Sequence, residues 1–299
     1  MLMIEDRKPF FRAVIMPNET GWKVRDVLKR HYHFSTGLIR NIKNDGVLQV
    51  NKENVYFTKQ LNAWDIVELY LEQQSKVFPE VSSLKIVYED DEILVINKSS
   101  GQIMHPRHQY ISGTLANYIA GYLAEKGEVP SSYLINRLDK GTSGLVLVAK
   151  NPLAASILSE EVGQMKKVYL ALTHGNFSSD NGVIDFNIVE PKEGIKRTVG
   201  PQGKTAITRY QVIKRYADFT LVKLSLESGR THQIRVHLSA SGHPIAGDDF
   251  YGEATNGFER IFLHASYLEF FHPKTGSILK LKAKLPSDLY RLLEGLKEL

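Results

Sequence analysis

The chain has 299 residues, a hydrophobic fraction of 42% and a charged fraction of 24%, the balance of an ordinary folded soluble domain or pair of domains. It has no cysteine, which excludes disulfides, thiolate nucleophiles and cysteine-ligated metals. The net charge of +5 is concentrated rather than spread. Between Glu190 and Arg215 the residues Lys192, Lys196, Arg197, Lys204, Arg209, Lys214 and Arg215 face only Glu190 and Glu193, a local excess suited to a polyanion.

The opening MLMIEDRKPF has no apolar core of the kind a signal peptide needs, and no run of eighteen apolar residues follows. A cytoplasmic protein without a membrane segment is therefore expected. Phe11 to Ile15 reads as a strand. Val24, Val27 and Leu28 then fall at helical spacing after Gly21, and Ser35 or Thr36 can cap a second helix with Leu38, Ile39 and Ile42 on one face. Asp45-Gly46 turns into the strand Val47 to Asn51, and Ile66 to Leu71 closes the unit. Arg40 and Lys43, with Lys29 and Arg30, lie off the apolar stripes, where they can meet phosphates or water. Gln73 to Pro79 (QQSKVFP) reads as a linker, giving units over 1–75 and 80–299.

In the second unit Ile86 to Tyr88 and Ile93 to Ile96 flank the acidic turn Glu89 to Glu92 as a hairpin, and Thr114 can cap a helix through Leu115, Ile119 and Leu123. Ile135 to Ala149 (INRLDKGTSGLVLVA) contains a sharp turn bracketed by Gly141 and Gly144, then the continuous apolar run Leu145 to Val148, a strand buried on both faces. A lone acid on such a turn, here Asp139, is by spacing alone a solvated charge or a local cap. Pro152 starts a helix, and KKVYLAL (Lys166 to Leu172) is a strand whose Tyr169 reads by itself as a core tyrosine. The stretch Ser228 to Asp248 (SGRTHQIRVHLSASGHPIAGD) suggests a helix capped by Thr231, with Ile234, Val236 and Leu238 inward and Gly242 at its end. His232 and His237 lack the spacing and the intervening glutamate of a zinc motif, so no metal is expected. Ile261 to Leu263 and Leu279 to Leu285 supply late strands before a charged C-terminal helix.

The stretch around Asp139 resembles the H-R-L-D-x-x-T-S-G motif of the RluA-type RNA pseudouridine synthases, with Asn136 where that family has histidine. KSSGQIMHP (Lys98 to Pro106) is similar to the family's K-P-x-G-x-x-x-H-P, with Ser99 replacing proline. Lys167 and Tyr169 match its K-x-Y motif, GKTAITRYQV matches a threonine-bearing strand, and GRTHQIRVH matches its arginine motif. SxGLIRNIKNDGVLQVN at the centre of the first unit resembles an S4 RNA-binding module, with Trp64-Asp65 in place of the usual Gly-Asp. The resemblance implies an α+β catalytic domain on a largely antiparallel mixed sheet with a cleft, preceded by a small S4-like domain. It implies Asp139 as the catalytic acid, Tyr169 as the residue that receives the target base, Arg230 as the partner of Asp139, and Arg137 as the filler of the vacated stack. Lys167, Lys192, Lys196, Arg197, Arg40 and Lys43 are then RNA contacts. The expected partner is RNA, ribosomal in preference to transfer RNA, and the expected state is a monomer.

Pseudouridine is an isomer of uridine, so the conversion requires no redox or group-carrying cofactor, and none is expected. It requires an ionised carboxylate near the ribose, either to attack C1′ or to remove the C2′ proton. Both routes remain open from the residues. A close arginine favours the charged form in a pocket that excludes water and, never titrating near neutrality, acts as a support rather than as an acid. The base must leave its stack at a cost of a few kcal/mol. A glycoside hydrolase would need a second acid beside Asp139, and a non-catalytic RNA-binding factor would not need the Asp139, Tyr169 and Arg230 set at all.

Overall fold

The computed structural model describes residues 9–71, 77–107, 110–130, 132–252 and 257–299; much of the expected linker Gln73 to Pro79 lies outside the described residues. The N-terminal part runs β1 (Phe11–Val14), α1 (Val24–Arg30), α2 (Thr36–Asp45), β2 (Gly46–Val50), β3 (Glu53–Asn54) and β4 (Ile66–Leu71). Its four strands form an antiparallel sheet in the order β1-β4-β2-β3. Ser35 caps α2 by accepting the Leu38 N–H at 3.0 Å, which satisfies one of the donors a helix start leaves open. Val24, Val27 and Leu28 of α1 and Leu38, Ile39 and Ile42 of α2 bury against Leu48, Val50, Val67 and Leu69 in a core of their own. Arg40 and Lys43 stay exposed, and Lys43 stands over the Phe57 ring. Trp64, at the position where the resembled module has glycine, holds φ +72° with its side chain 65% exposed. A non-glycine residue pays about 1–2 kcal/mol for that left-handed backbone.

The remaining elements are β5 (Ile86–Glu89), β6 (Ile93–Lys98), α3 (Leu115–Glu125), β7 (Tyr133–Leu134), β8 (Ser143–Ala149), α4 (Pro152–Glu161), β9 (Lys166–His174), β10 (Asn181–Asp185), β11 (Ile188–Val189), β12 (Thr198–Val199), β13 (Ile207–Arg215), β14 (Phe219–Leu226), α5 (Gln233–Ala240), β15 (Leu263–Phe271), β16 (Ile278–Lys282) and α6 (Ser287–Glu294). A ten-stranded mixed sheet runs β10-β13-β14-β9-β15-β8-β6-β5, with β16 on β15 and β7 on β8. Every pairing is antiparallel except β8 with β15. The fold is the expected α+β class. The late strand begins at Leu263, so Ile261 and Phe262 are buried lead-in residues rather than strand.

β8 lies between β15 and β6 in this sheet, and all seven of its residues are buried. Its side chains alternate between two cores: Val146 and Val148 pack with Leu94, Ile96 and the α3 residues Leu115, Ile119 and Leu123, while Leu145 and Leu147 pack with Ile93, Val95 and the α4 residues Ala154 and Leu158. Each such burial contributes about 1.5–3 kcal/mol. The two halves of the sheet meet where His264 and Ala265 lie beside Ser143 and Gly144. Gly144 has φ +119°, and a Cβ there would stand 2.2 Å from the Ala265 carbonyl oxygen; only glycine permits so close a parallel seam. The chain entering this seam carries Asp139.

Candidate active site

The Asp139 turn is built by short-range bonds. Thr142 N–H donates to the Asp139 carbonyl at 3.1 Å. From the neighbouring segment, Gly101 N–H donates to the Lys140 carbonyl and Ser100 Oγ to the Gly141 carbonyl, both at 2.8 Å. Lys98, 1% exposed, sends its ammonium to the carbonyls of Ser99, Gln102 and Lys140 at 2.9, 3.0 and 3.2 Å. A charge buried this deeply persists only when its donors are used. Burial pushes the Lys98 pKa down to about 8, with the Asp139 charge opposing that fall and Arg260 adding to it. Sequence reasoning gave Lys98 no role, although it opens the KSSGQIMHP stretch. On the other side of the turn, buried Asn136 donates from Nδ2 to the Leu145 carbonyl at 3.1 Å and accepts the Leu147 N–H at 2.7 Å. That amide serves the backbone of β8.

α5 supplies the cation. Its start is fixed by buried Gln233, whose Oε1 accepts from Ser228 Oγ and Arg230 N–H and whose Nε2 donates to the Ile207 carbonyl and Thr208 Oγ1. The residue before the helix is His232, not Thr231, with φ +58° and no side-chain cap; this is a correction to the expected boundary. The resulting register turns Arg235 into the site. Arg235 Nη1 donates to Asp139 Oδ2 at 3.1 Å, while Nε and Nη2 grip Asp248 at 2.7 and 2.8 Å. Burial works against the Arg235 charge, but the Asp248 fork and the Asp139 charge outweigh it and raise its pKa. Its guanidinium also lies over the rings of Tyr251 and Phe250, at 4.9 and 5.6 Å from their centroids.

The structure thus corrects the expected partner of Asp139. Arg230 is exposed and donates from Nε to the Thr205 carbonyl at 3.1 Å. It lines a polar cavity of about 130 Å³ with Arg197, Lys204 and Glu190. Tyr169 is where the acid's field reaches it. On β9 it pairs with Ala265, whose other neighbour is Gly144 of β8. Burial first and then the charge of Asp139 raise its pKa, so its hydroxyl stays protonated. Lys167 is engaged elsewhere: its ammonium donates to the Val162 carbonyl at 2.8 Å at the C-terminal end of α4, and burial lowers its pKa. Arg137 is exposed beside the turn, near enough to His105 to help burial lower the imidazole pKa. Lys192 and Lys196 are exposed in the loop after β11, and Arg197 is half-buried there. Lys196 stands 5.5 and 5.7 Å over the rings of Phe250 and Tyr251.

Asp139 keeps 29% of its side chain exposed, whereas Asp248 keeps 1%. One carboxylate is open to a substrate, and the other is spent on Arg235. Among the described residues no group of three histidine, aspartate or glutamate side chains is placed to hold a metal. His237 instead bonds through Nε2 with the Phe186 carbonyl. A single accessible acid, charge-paired with one arginine and flanked by a protonated tyrosine, is suited to chemistry in which one carboxylate acts alone on a sugar or base.

Comparison with known proteins agrees with that class. The profile of the RNA pseudouridylate synthase family matches residues 92–240, a span holding Asp139, Tyr169 and Arg235. The chain is 40% identical to the uncharacterized RNA pseudouridine synthase YjbO of Bacillus subtilis, over 87% of this chain and 95% of that protein. It is 37% identical to the ribosomal large subunit pseudouridine synthase C of Escherichia coli, over 95% of this chain and 96% of that one. The solved structure of human RNA pseudouridylate synthase domain containing 4 superposes with a TM-score of 0.59 at 26% identity, covering 70% of this chain and 91% of that chain. The chain belongs to the RNA pseudouridine synthase family and is an isomerase acting on RNA.

Proposed function

We propose that the protein isomerises specific uridines in structured RNA, ribosomal in preference to transfer RNA, with Asp139 as the carboxylate that acts at the ribose. The observation that carries this reading is the Arg235 bridge: Asp139 is ion-paired yet accessible, while Asp248 is buried in the same guanidinium fork. An arginine that cannot titrate near neutrality keeps the neighbouring carboxylate charged and fixes its direction. The glycoside hydrolase reading is less favoured, because Asp248, the acid that shares Arg235 with Asp139, is buried and bonded to that guanidinium.

Around that acid each side chain has its own part in the reaction. Arg137, exposed two residues before Asp139, fills the stack from which the uridine is flipped. Tyr169 lies under the flipped base, its protonated hydroxyl available for the final proton transfer at C5. Arg230, Lys192, Lys196, Arg197 and Lys204 line the approach and meet phosphates, as do Arg40 and Lys43 from an S4-like domain over 1–75 that precedes the catalytic domain over 80–299. The protein acts as a cytoplasmic monomer. No described helix is long and apolar enough to cross a membrane. The ribosomal preference draws on the name and 37% identity of the large-subunit relative. Tritium release from uridine-labelled large-subunit ribosomal and transfer RNA transcripts tests it, together with mapping of the pseudouridines lost in a deletion strain. Release from the ribosomal transcript alone is expected; release from transfer RNA alone would reverse the preference.

A further inference from the structure

Two side chains that the chemistry so far leaves unused, His232 and Tyr251, connect the basic loop to Asp139. The Arg197 backbone N–H donates to Tyr251 Oη at 2.8 Å. The same oxygen lies 2.8 Å from His232 Nδ1. The other ring nitrogen, Nε2, points at Asp139 Oδ1 across 3.8 Å. His232 holds a left-handed backbone, φ +58° and ψ +17°, a conformation that persists only where its surroundings over-determine it.

The proton positions follow from the neighbours. If Nδ1 carried the proton, the bare Nε2 lone pair would face the Asp139 carboxylate, two acceptors turned on each other. With the proton on Nε2, Tyr251 donates its hydroxyl hydrogen to Nδ1, accepts from the Arg197 peptide, and leaves an N–H facing the acid. The charged and titratable groups that act on the imidazole are Asp139, Arg235, Arg197 and Asp248. Burial, helped by the two arginines, outweighs the carboxylates and lowers its pKa, which keeps the ring neutral near pH 7. The rings of Phe250 and Tyr251 stand edge-on to it at 6.0 and 5.5 Å.

We propose that His232 and Tyr251 are positioning residues for Asp139: the carboxylate selects the Nε2–H tautomer of His232, and Tyr251, tied to the Arg197 peptide, holds the ring through Nδ1 and aims that N–H at the acid. Docking of the basic loop on RNA is thereby felt at the reacting carboxylate. At 3.8 Å the N–H is too long for a hydrogen bond and acts on the acid through its dipole. The inference rests on Asp139 being the acting acid.

Nitrogen-15 spectra of the histidine-labelled full chain report the tautomer without any RNA. His232 is expected neutral at pH 7 with its proton on Nε2. Tyr251→Phe, which removes only the hydroxyl, is expected to keep that tautomer and to move the Nδ1 resonance, which loses its donor. A proton on Nδ1 in the wild type overturns the proposal, and so does an unchanged His232 signal in Tyr251→Phe. In tritium release from a large-subunit ribosomal RNA transcript, Tyr251→Phe should lower the single-turnover rate about tenfold, the value of one lost hydrogen bond, with half-saturating RNA within about twofold. His232→Gln, which retains an N–H in place of Nε2, should recover part of the loss seen in His232→Ala. Equal rates in those two variants overturn the positioning role. Turnover by Asp139→Asn would remove the reading of the acid, and this role with it, even where the tautomer is as expected.

Discussion

Arg235 Nη1 and Asp139 Oδ2 lie 3.1 Å apart, and the rest of the same guanidinium is locked onto Asp248. Lysine keeps the charge but not the fork. Arg235→Lys is therefore expected to cut single-turnover isomerisation by about two orders of magnitude, the usual value of one preorganised donor. Because one ammonium cannot make both bonds to buried Asp248, the substitution should also cost about 1–3 kcal/mol of stability. Arg230→Ala should instead weaken RNA binding and reduce the slope of log K against log salt by about 0.7–0.9, with little effect on the rate at saturating RNA. Rate measurements on both variants check this, and a larger rate loss at Arg230 than at Arg235 would contradict it.

Lys98 gives a pH signature. Its pKa is about 8 in the folded protein against an ordinary lysine value of 10.5, so between those pH values the unfolded chain binds more protons. Stability at this position therefore rises with pH through that window and is constant below it, where both states hold the proton. Denaturant titrations of wild type and Lys98→Met from pH 7 to 10.5 should show their difference moving in favour of the wild type by up to about 3 kcal/mol. A flat difference would mean that the buried ammonium is not destabilised.

Much of this framework is legible in the chain. The Ser35 and Thr114 caps, the continuous apolar run of β8 and the Tyr169 strand follow from local chemistry and period. The Asp139 turn is legible only through its motif. Arg230 and Arg235 stand in one motif five residues apart, and sequence does not say which points inward. That choice is made by the left-handed His232 and by Gln233, which set the register of α5. Asp248 and Tyr251 complete the site from beyond the motif, through a tertiary contact with no local periodicity. Lys167 is misleading for a similar reason: its K-x-Y spacing to Tyr169 fits, yet its long stem reaches the Val162 carbonyl. Asn136, the departure from the family histidine, is explained by its two backbone bonds to β8.

The side chains of the basic loop are expected to carry affinity. Arg197 holds Tyr251 through its backbone, a bond that survives side-chain replacement. Neutralising Lys192, Lys196 and Arg197 together should weaken RNA binding and flatten the salt slope by about two to three, if each touches one phosphate. Binding titrations across salt concentration check this. An unaltered slope would place the RNA elsewhere, with Arg40 and Lys43 on α2 the next residues to vary.

One carboxylate, Asp139, is expected to perform the isomerisation. Asp139→Asn is nearly isosteric and leaves Arg235 its Asp248 fork, so RNA affinity should stay within a few-fold. Tritium release from the C5 position of uridine in a large-subunit ribosomal RNA transcript measures turnover directly. No release above background is expected from the Asp139→Asn protein under conditions where the wild type goes to completion. Appreciable release by that variant would contradict it.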